Sequence, residues 1–374
     1  MTRDLPGSRD ELRELRGTAR GFFERHSDEA AVRSAMETAE GFDRNLWQLM
    51  AEQLGLQSLL IPEEFGGAEF AFTDLQIVLE EMGRALVCSP FLSSAVLAVQ
   101  ALLASHDRDR CAELLPRIAD GSLIAALAFA DRLGRWDPAD DSVRATRAAG
   151  RWTLTGSRRF VLDAAAAEVI LVAATSEDGP GLYVVNQADT GCCVTPLETL
   201  DMTRRQADVT IDDAEATLIG DAGEADAYLR QAFDAGLAAL SAEQVGGARR
   251  VLEMSVEYAK IREQFGRPIG SFQAIKHKCA DMLLEVESAT SAAQAACTAI
   301  AESSTEASLL ASVAKSYCSE VYTRAAAENI QVHGGIGFTW EHAAHLYFRR
   351  AKSSEMLLGT PTYHRERILR ELDL

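Results

Sequence analysis

The stretch from Ala225 towards the C terminus restricts the fold most, because apolar residues recur there with the helical period over long distances. Three segments carry this pattern: 225–259, 273–303 and 305–332. Each is long enough to contribute to a bundle, in which length and an apolar stripe matter more than intrinsic propensity. The sequence therefore predicts a C-terminal helical bundle, in a domain that we place at 222–374.

The sequence before this bundle divides into a helical part and a β-like part. Residues 1–121 are predicted to be helical, because apolar residues recur at helical spacing between Asp43 and Leu54 and again over 74–86. From Ser122 the pattern changes to short apolar or alternating runs that turn residues separate. The predicted strands lie at 123–129, 151–156, 169–174, 181–185 and 207–211. This pattern predicts a compact β domain over 122–221, and the whole chain an α+β fold.

Charge and composition limit the partners and the location of the protein. A net charge of −19 argues against nucleic acid and anionic membrane surfaces as partners. No apolar run approaches the roughly 18–20 residues that span a bilayer, and the first residues lack an apolar signal core. The seven cysteines are scattered without the spacing of metal ligands. We expect a cytoplasmic protein with reduced thiols and no metal site.

Two motifs in the C-terminal part stand out by their arginines and glycines. The first is Y-A-K-I-R-E-Q-F-G-R-P-I-G-S-F-Q at 258–273, and the second is Q-V-H-G-G-I-G-F-T at 331–339. An arginine beside a pyrophosphate supplies a charge-assisted, often bidentate contact. Glycine lets backbone amides approach a phosphate closely. Together the two motifs resemble those of the acyl-CoA dehydrogenase family.

This resemblance implies a fold, a cofactor and a set of contact residues. The implied fold has an N-terminal helical domain, a middle β-barrel domain and a C-terminal four-helix bundle, and the implied cofactor is FAD. In the family the first motif reaches across a subunit interface to the partner's flavin, and the second contacts the dinucleotide. The matching positions here are Arg262, Phe265 and Gln273 in the first motif, and Gln331, Gly334 and Gly335 in the second.

The catalytic base of the family is missing from both positions where the resemblance would place it. A buried carboxylate suits the removal of a proton next to a thioester, because burial raises its pKa toward the operating pH. Directly before Gly359 the chain has Leu358, and near the start of the helix before the first motif it has Gly236. Glu243 lies two turns beyond Gly236 on about the same helix face, and is a candidate substitute. The catalytic residue is left unassigned.

Other polar residues near the implied site are weaker candidates for the base. Glu341 and Glu355 have a spacing to Leu358 that points them elsewhere. His333 is expected to contribute a hydrogen bond or shape to its turn. Asp163 stands where the family has a small residue. The basic run at 349–352 could bind an anion, or could simply form a solvated helix face.

The β-like part departs from the family pattern in the two segments expected to face the flavin ring. These segments are 128–138 and 159–164. The Ser and Thr donors of the family's T-E-P-x-x-G-S-D and W-I-T segments are absent from them. Arg132 and Trp136 are bulky where small residues would be expected. We expect these changes to weaken the chain's own flavin site.

The pattern of retained and lost residues leads to a functional hypothesis. The chain retains the contacts that the family donates across an interface and lacks the base and the flavin-facing segments. We therefore expect a subunit of an FAD-dependent acyl-CoA dehydrogenase, of the heteromeric type found in actinobacterial steroid side-chain degradation. It would assemble with a second, catalytic acyl-CoA dehydrogenase chain. The alternatives are a self-sufficient homo-oligomer with a displaced base, a non-catalytic scaffold subunit, and a flavin monooxygenase on the same fold.

Overall fold

The computed structural model describes residues 9–130 and 142–374, with helices towards both ends of the chain and strands in its middle. The helices are α1 (Arg9–His26), α2 (Glu29–Glu37), α3 (Arg44–Leu54), α4 (Phe72–Arg84), α5 (Val99–Ala104), α6 (Arg108–Ala119), α7 (Ala225–Ile261), α8 (Gln273–Ala301), α9 (Ala307–His333), α10 (Ala344–Met356) and α11 (Pro361–Glu371). A π-helical segment, Phe91–Ala98, precedes α5. The predicted long helices and the helical N-terminal part are confirmed. Within the described residues, no helix has the length and apolar character needed to cross a membrane.

The middle of the chain forms a closed β-barrel. Its strands are β1 (Ala125–Ala128), β2 (Val143–Ala148), β3 (Arg151–Leu162), β4 (Val169–Ser176), β5 (Gly179–Asn186), β6 (Cys192–Pro196) and β7 (Gln206–Ile219). Strands β2, β3, β7, β5 and β4 pair in this order, and β4 pairs with β2 to close the ring. Along β7, buried Ala207, Val209 and Ile211 alternate with outward-facing residues, as one buried face requires. The predicted β-barrel is therefore confirmed.

By its contacts the described chain divides into two compact units. Unit 1 comprises the described residues up to Ser34 together with Phe72–Val87 and Leu237–Leu374. Unit 2 comprises Ala35–Ala71 and Cys88–Gly236 and contains the barrel. Unit 1 is helical except for a short hairpin between α7 and α8. The domain limits at 121/122 and 221/222 stay a prediction.

Helices α4 and α7 of unit 1 cross with their backbones almost in contact. A Cβ atom added to Gly83 of α4 would come within 2.0 Å of the Glu243 carbonyl oxygen. A Cβ atom added to Gly246 of α7 would come within 1.8 Å of the Glu80 carbonyl oxygen. No side chain fits at such distances, so this crossing depends on glycine in both helices.

Two buried carboxylates beside this crossing tie three helices of unit 1 together. Glu81 accepts hydrogen bonds from Nε and Nη2 of Arg20 on α1, both at 2.9 Å. Glu80 lies 3.0 Å from Nη1 of Arg249 on α7. Arg16 reaches both carboxylates, at 2.8 Å and 3.0 Å. Burial of a carboxylate is costly unless a cation is paired with it, so these arginines fix α1 on α4 and α7.

Candidate functional site

The first motif forms a tight hairpin at the end of α7. Strands β8 (Glu263–Gln264) and β9 (Arg267–Pro268) pair, and Phe265 and Gly266 make the two-residue turn between them. Both turn residues have positive φ, 53° and 75°, which is the geometry of a type I′ hairpin turn. The hairpin is anchored where the Ile269 amide donates to the Arg262 carbonyl oxygen at 2.8 Å.

The tip of this hairpin presents an aromatic ring to the outside. The Phe265 side chain is 91% exposed, although a left-handed backbone conformation is unfavourable for a bulky residue. Phe265 meets Phe272 edge to face, with 6.0 Å between ring centroids. The guanidinium of Arg267 lies 4.2 Å from the Phe272 ring centroid. These contacts hold the tip, but they leave most of the Phe265 ring open.

The second motif forms the end of α9 and the turn after it. Gly334 follows the last helical residue with φ 63° and ψ −139°, and a single 3₁₀ turn continues to Phe338. A Cβ atom added to Gly334 or Gly335 would meet open space. Nothing in the described chain therefore crowds these two glycines, while the Gly334 amide donates within the turn to the Ile330 and Gln331 carbonyl oxygens.

All six predicted contact residues lie at the surface of unit 1. All six are exposed, and Phe265 is 91% exposed. The side chains of Arg262, Gln273 and Gln331 form no hydrogen bond or ion pair with any residue that the structure describes. An exposed cation, two amide side chains, an aromatic face and a glycine turn that leaves room for close approach suit a flavin dinucleotide. These residues therefore fit FAD.

The position where the resemblance places the base holds a buried apolar residue, in a loop that hydrogen bonds hold from below. Leu358 is fully buried and has φ 57°. The Leu358 carbonyl oxygen accepts a hydrogen bond from Nε2 of His364 at 2.8 Å. Next to it, the ammonium group of Lys315 donates to the Gly359 and Glu355 carbonyl oxygens, at 2.9 Å and 3.2 Å. Thr360 then caps α11 by accepting from the Tyr363 amide.

The two polar groups beneath this loop are buried, and no sequence motif indicated their role. Burial and the nearby charge of Lys315 lower the pKa of His364 to about 3. The imidazole is therefore neutral at physiological pH and serves as a hydrogen-bond donor. Lys315 is also fully buried, and its Nζ donates to Ser319 as well, at 3.0 Å. The loop is held by fixed donors, while Leu358 itself cannot accept a proton.

Glu243, the candidate substitute base, is engaged in a buried ion pair. Its Oε1 lies 2.7 Å from Nη1 of Arg350, and the two side chains are 9% and 4% exposed. Arg350 also donates to the Val87 carbonyl oxygen at 3.3 Å. The basic run at 349–352 is therefore not simply a solvated helix face, because its Arg350 lies inside unit 1. This geometry assigns Glu243 a structural role.

Three of the remaining candidates for the base, Asp163, Glu355 and His333, have structural partners. Asp163 accepts a hydrogen bond from the Ser93 hydroxyl at 2.6 Å in unit 2. Glu355 accepts from the Thr323 hydroxyl at 2.9 Å, and Glu341 is exposed. His333 is buried and donates from Nδ1 to the Asn329 carbonyl oxygen at 2.8 Å, so it shapes its turn as expected.

The segment with Arg132 and Trp136 lies outside the described residues 9–130 and 142–374.

The chain is similar to acyl-CoA dehydrogenases both in sequence and in fold. Family models described as the N-terminal and C-terminal domains of acyl-CoA dehydrogenase match residues 9–122 and 227–372. The acyl-CoA dehydrogenase IpdE2 of Mycobacterium tuberculosis is 39% identical over 97% of this chain and 96% of its own. A variant of the Tcur3481–Tcur3483 steroid ACAD is 31% identical, with a TM-score of 0.87 and 96% of each chain covered. The ChsE4–ChsE5 complex from Mycobacterium tuberculosis is 28% identical, with a TM-score of 0.89 and 98% of each chain covered.

Replacing Glu243 is expected to destabilise the protein. Glu243→Gln leaves the Arg350 guanidinium buried without its counter-charge, which costs about 3–5 kcal/mol. The double variant Glu243→Leu/Arg350→Met should recover much of this loss, because packed apolar residues can replace a buried ion pair. Urea unfolding measures both effects.

In the exposed pair of Arg365 and Glu320, Glu320→Gln should cost less than about 1 kcal/mol. If Glu243→Gln instead keeps its stability and loses activity, that result would identify Glu243 as the base.

The low pKa of His364 makes the protein sensitive to acid. The ordinary pKa of histidine is 6.5, and the folded value is about 3, so between these values the unfolded chain binds a proton that the folded chain does not. The free energy of unfolding therefore falls as the pH drops through this window. In His364→Gln that fall should be smaller. Unfolding measured between pH 3.5 and 7 tests this, with exposed His277→Gln as a control that should match wild type. An equal slope in all three proteins would contradict the prediction.

Proposed function

The chain belongs to the acyl-CoA dehydrogenase family of FAD-dependent oxidoreductases acting on CH–CH bonds, and from this premise we propose that it serves a second chain. In this proposal, the protein donates contacts to a flavin whose base and ring-facing segments are supplied by another acyl-CoA dehydrogenase subunit. The two chains together carry out the α,β-dehydrogenation of an acyl-CoA thioester.

One observation supports this division of labour above all others. The six contact residues of the donated set are exposed and open, whereas the position of the base holds a fully buried leucine. A chain that acted alone would need both halves. Glu243, the candidate substitute base, is engaged in a buried ion pair with Arg350, which supports a base supplied by another chain.

Relatives of the chain favour a heteromeric assembly and a bulky substrate. Two of the similar structures are assemblies named for two different chains, and one of them is described as a steroid ACAD. We infer by analogy that this chain pairs with an unlike partner and acts on an acyl-CoA with a steroid-derived acyl group. The seven free cysteines support a reducing, cytoplasmic location.

Each contact residue has a distinct part in holding the cofactor. These residues would hold FAD, which would supply the acceptor for the hydride from the β carbon, while a base on the partner chain would take the α proton. The Arg262 guanidinium would neutralise charge on the pyrophosphate, and the uncrowded turn at Gly334 and Gly335 would let the dinucleotide approach the backbone closely. Phe265 would cover an aromatic face and exclude water from it. Gln273 and Gln331 would supply the remaining polar contacts.

The flavin content of the purified chain tests this proposal. We expect the chain alone to be colourless, and to yield a yellow complex when it is co-expressed with a catalytic acyl-CoA dehydrogenase subunit from the same organism. In that complex an acyl-CoA substrate should bleach the flavin absorbance. One flavin per protomer in the chain alone, bleached by an acyl-CoA, would disprove the proposal and favour a self-sufficient enzyme.

Replacing Phe265 by asparagine separates stability from cofactor retention. Asn-Gly is the preferred sequence for a type I′ turn, so Phe265→Asn should leave the hairpin at least as stable as in wild type. The variant lacks the aromatic face, which is worth about 0.5–1.5 kcal/mol beyond its buried area, and should release flavin from the complex roughly two- to tenfold faster. Thermal unfolding and stopped-flow flavin release measure the two effects. If flavin leaves the well-folded variant complex at the wild-type rate, Phe265 does not touch the cofactor.

A further inference from the structure

Three aromatic rings form a continuous stack inside unit 1. Tyr258 on α7 stacks on His333 at the end of α9, with 4.3 Å between ring centroids and an angle of 28°. His333 in turn meets His342, with 4.4 Å between centroids and an angle of 46°. The His342 ring is fixed because its Nδ1 accepts a hydrogen bond from the Ala344 amide at 3.1 Å. The stack therefore connects three separate points of the chain.

This stack lies at the base of both cofactor-contact motifs. The Arg262 amide donates to the Tyr258 carbonyl oxygen at 2.9 Å, so the hairpin begins one helical turn beyond the first ring. Gly334 follows directly after His333, and a Cβ atom added to Gly337 would come within 2.8 Å of the His333 Cβ. Any shift of the rings would therefore move the hairpin and the glycine turn relative to each other.

One side of the stack borders a cavity and not a packed core. The cavity has a volume of about 570 Å³, and its lining includes Tyr258, His333 and His342 together with Ile261, Met254 and Leu346. Close packing normally holds side chains in place from all sides. Here the rings have open space on one side. The stacking of the rings and the hydrogen bond from His333 to Asn329 therefore hold the rings in place.

We propose that Tyr258, His333 and His342 are positioning residues that hold the two flavin-contacting motifs at a fixed separation. None of the three needs to touch the cofactor. They act through Arg262, Phe265 and the glycine turn, whose contacts must be presented together to one dinucleotide. This role rests on the proposed donation of flavin contacts to a partner chain.

Hydrogen exchange on the chain alone tests the mechanical part of the proposal. In His333→Leu, which removes the ring and its bond to Asn329, amides of both 262–272 and 334–338 should exchange roughly two- to tenfold faster. His333→Phe keeps a ring in the stack and should restore most of the protection of 262–272. Exposed His106→Leu in unit 2 should change neither segment. If His333→Leu loosens only 334–338, the stack does not link the motifs and the proposal is wrong.

Flavin release from the assembled complex tests the functional part. Tyr258→Leu and His333→Leu should each speed release roughly two- to tenfold, and the double variant should be little worse than either, since both remove the same link. His333→Phe should restore slow release. Release rates that multiply in the double variant would show independent effects and overturn the proposal. Loosened motifs with unchanged release would overturn the positioning role and, unlike a failed exchange experiment, would also count against the donated contacts.

Discussion

The close crossing of α4 and α7 is the constraint on which unit 1 depends. Because the backbones meet at Gly83 and Gly246, the residues beside them are carried into the interior whatever their polarity. Two of these are carboxylates, Glu80 and Glu243, and each has an arginine as its partner. Because the crossing buries these carboxylates, each needs a cationic partner. The resulting ion pairs attach α1 and α10 to the crossing helices. With its middle held in this way, α7 presents its far end, the hairpin, from a rigid base.

Much of this architecture could be predicted from the sequence, because long-range periodicity reports burial. Helices α7, α8 and α9 begin and end within a few residues of the predicted limits. Strand β7 is longer than predicted, since polar Asp212 and Asp213 interrupt the apolar alternation and Asp213 has φ 52°. The six contact residues came from resemblance to a family, and the structure adds that they are exposed. Periodicity could not predict the partners of Glu243, because burial alone does not say which charge lies opposite.

The loop around Leu358 shows a different limit of sequence reasoning. A single apolar residue at the base position suggests that the site has been lost. Its supporting donors, Lys315 and His364, lie 43 and 6 residues away in the chain and give no local signal. Yet they hold the Gly359 and Leu358 carbonyl oxygens of the loop by hydrogen bonds. The sequence likewise did not indicate that Tyr258, His333 and His342 stack, although His333 alone was considered as a candidate residue.

The open aromatic side chains have a consequence for the life of the protein in the cell. In an unassembled copy, the described part of the chain leaves two aromatic rings largely uncovered. These are Phe265 and Phe338, which are 91% and 83% exposed. Chaperones and proteases continuously select chains that display apolar surface. In the proposed assembly, copies made in excess of the partner would be cleared as orphan subunits. The abundance of this chain would then follow the synthesis of its partner, and the ratio of the two would be set by turnover and not by matched expression.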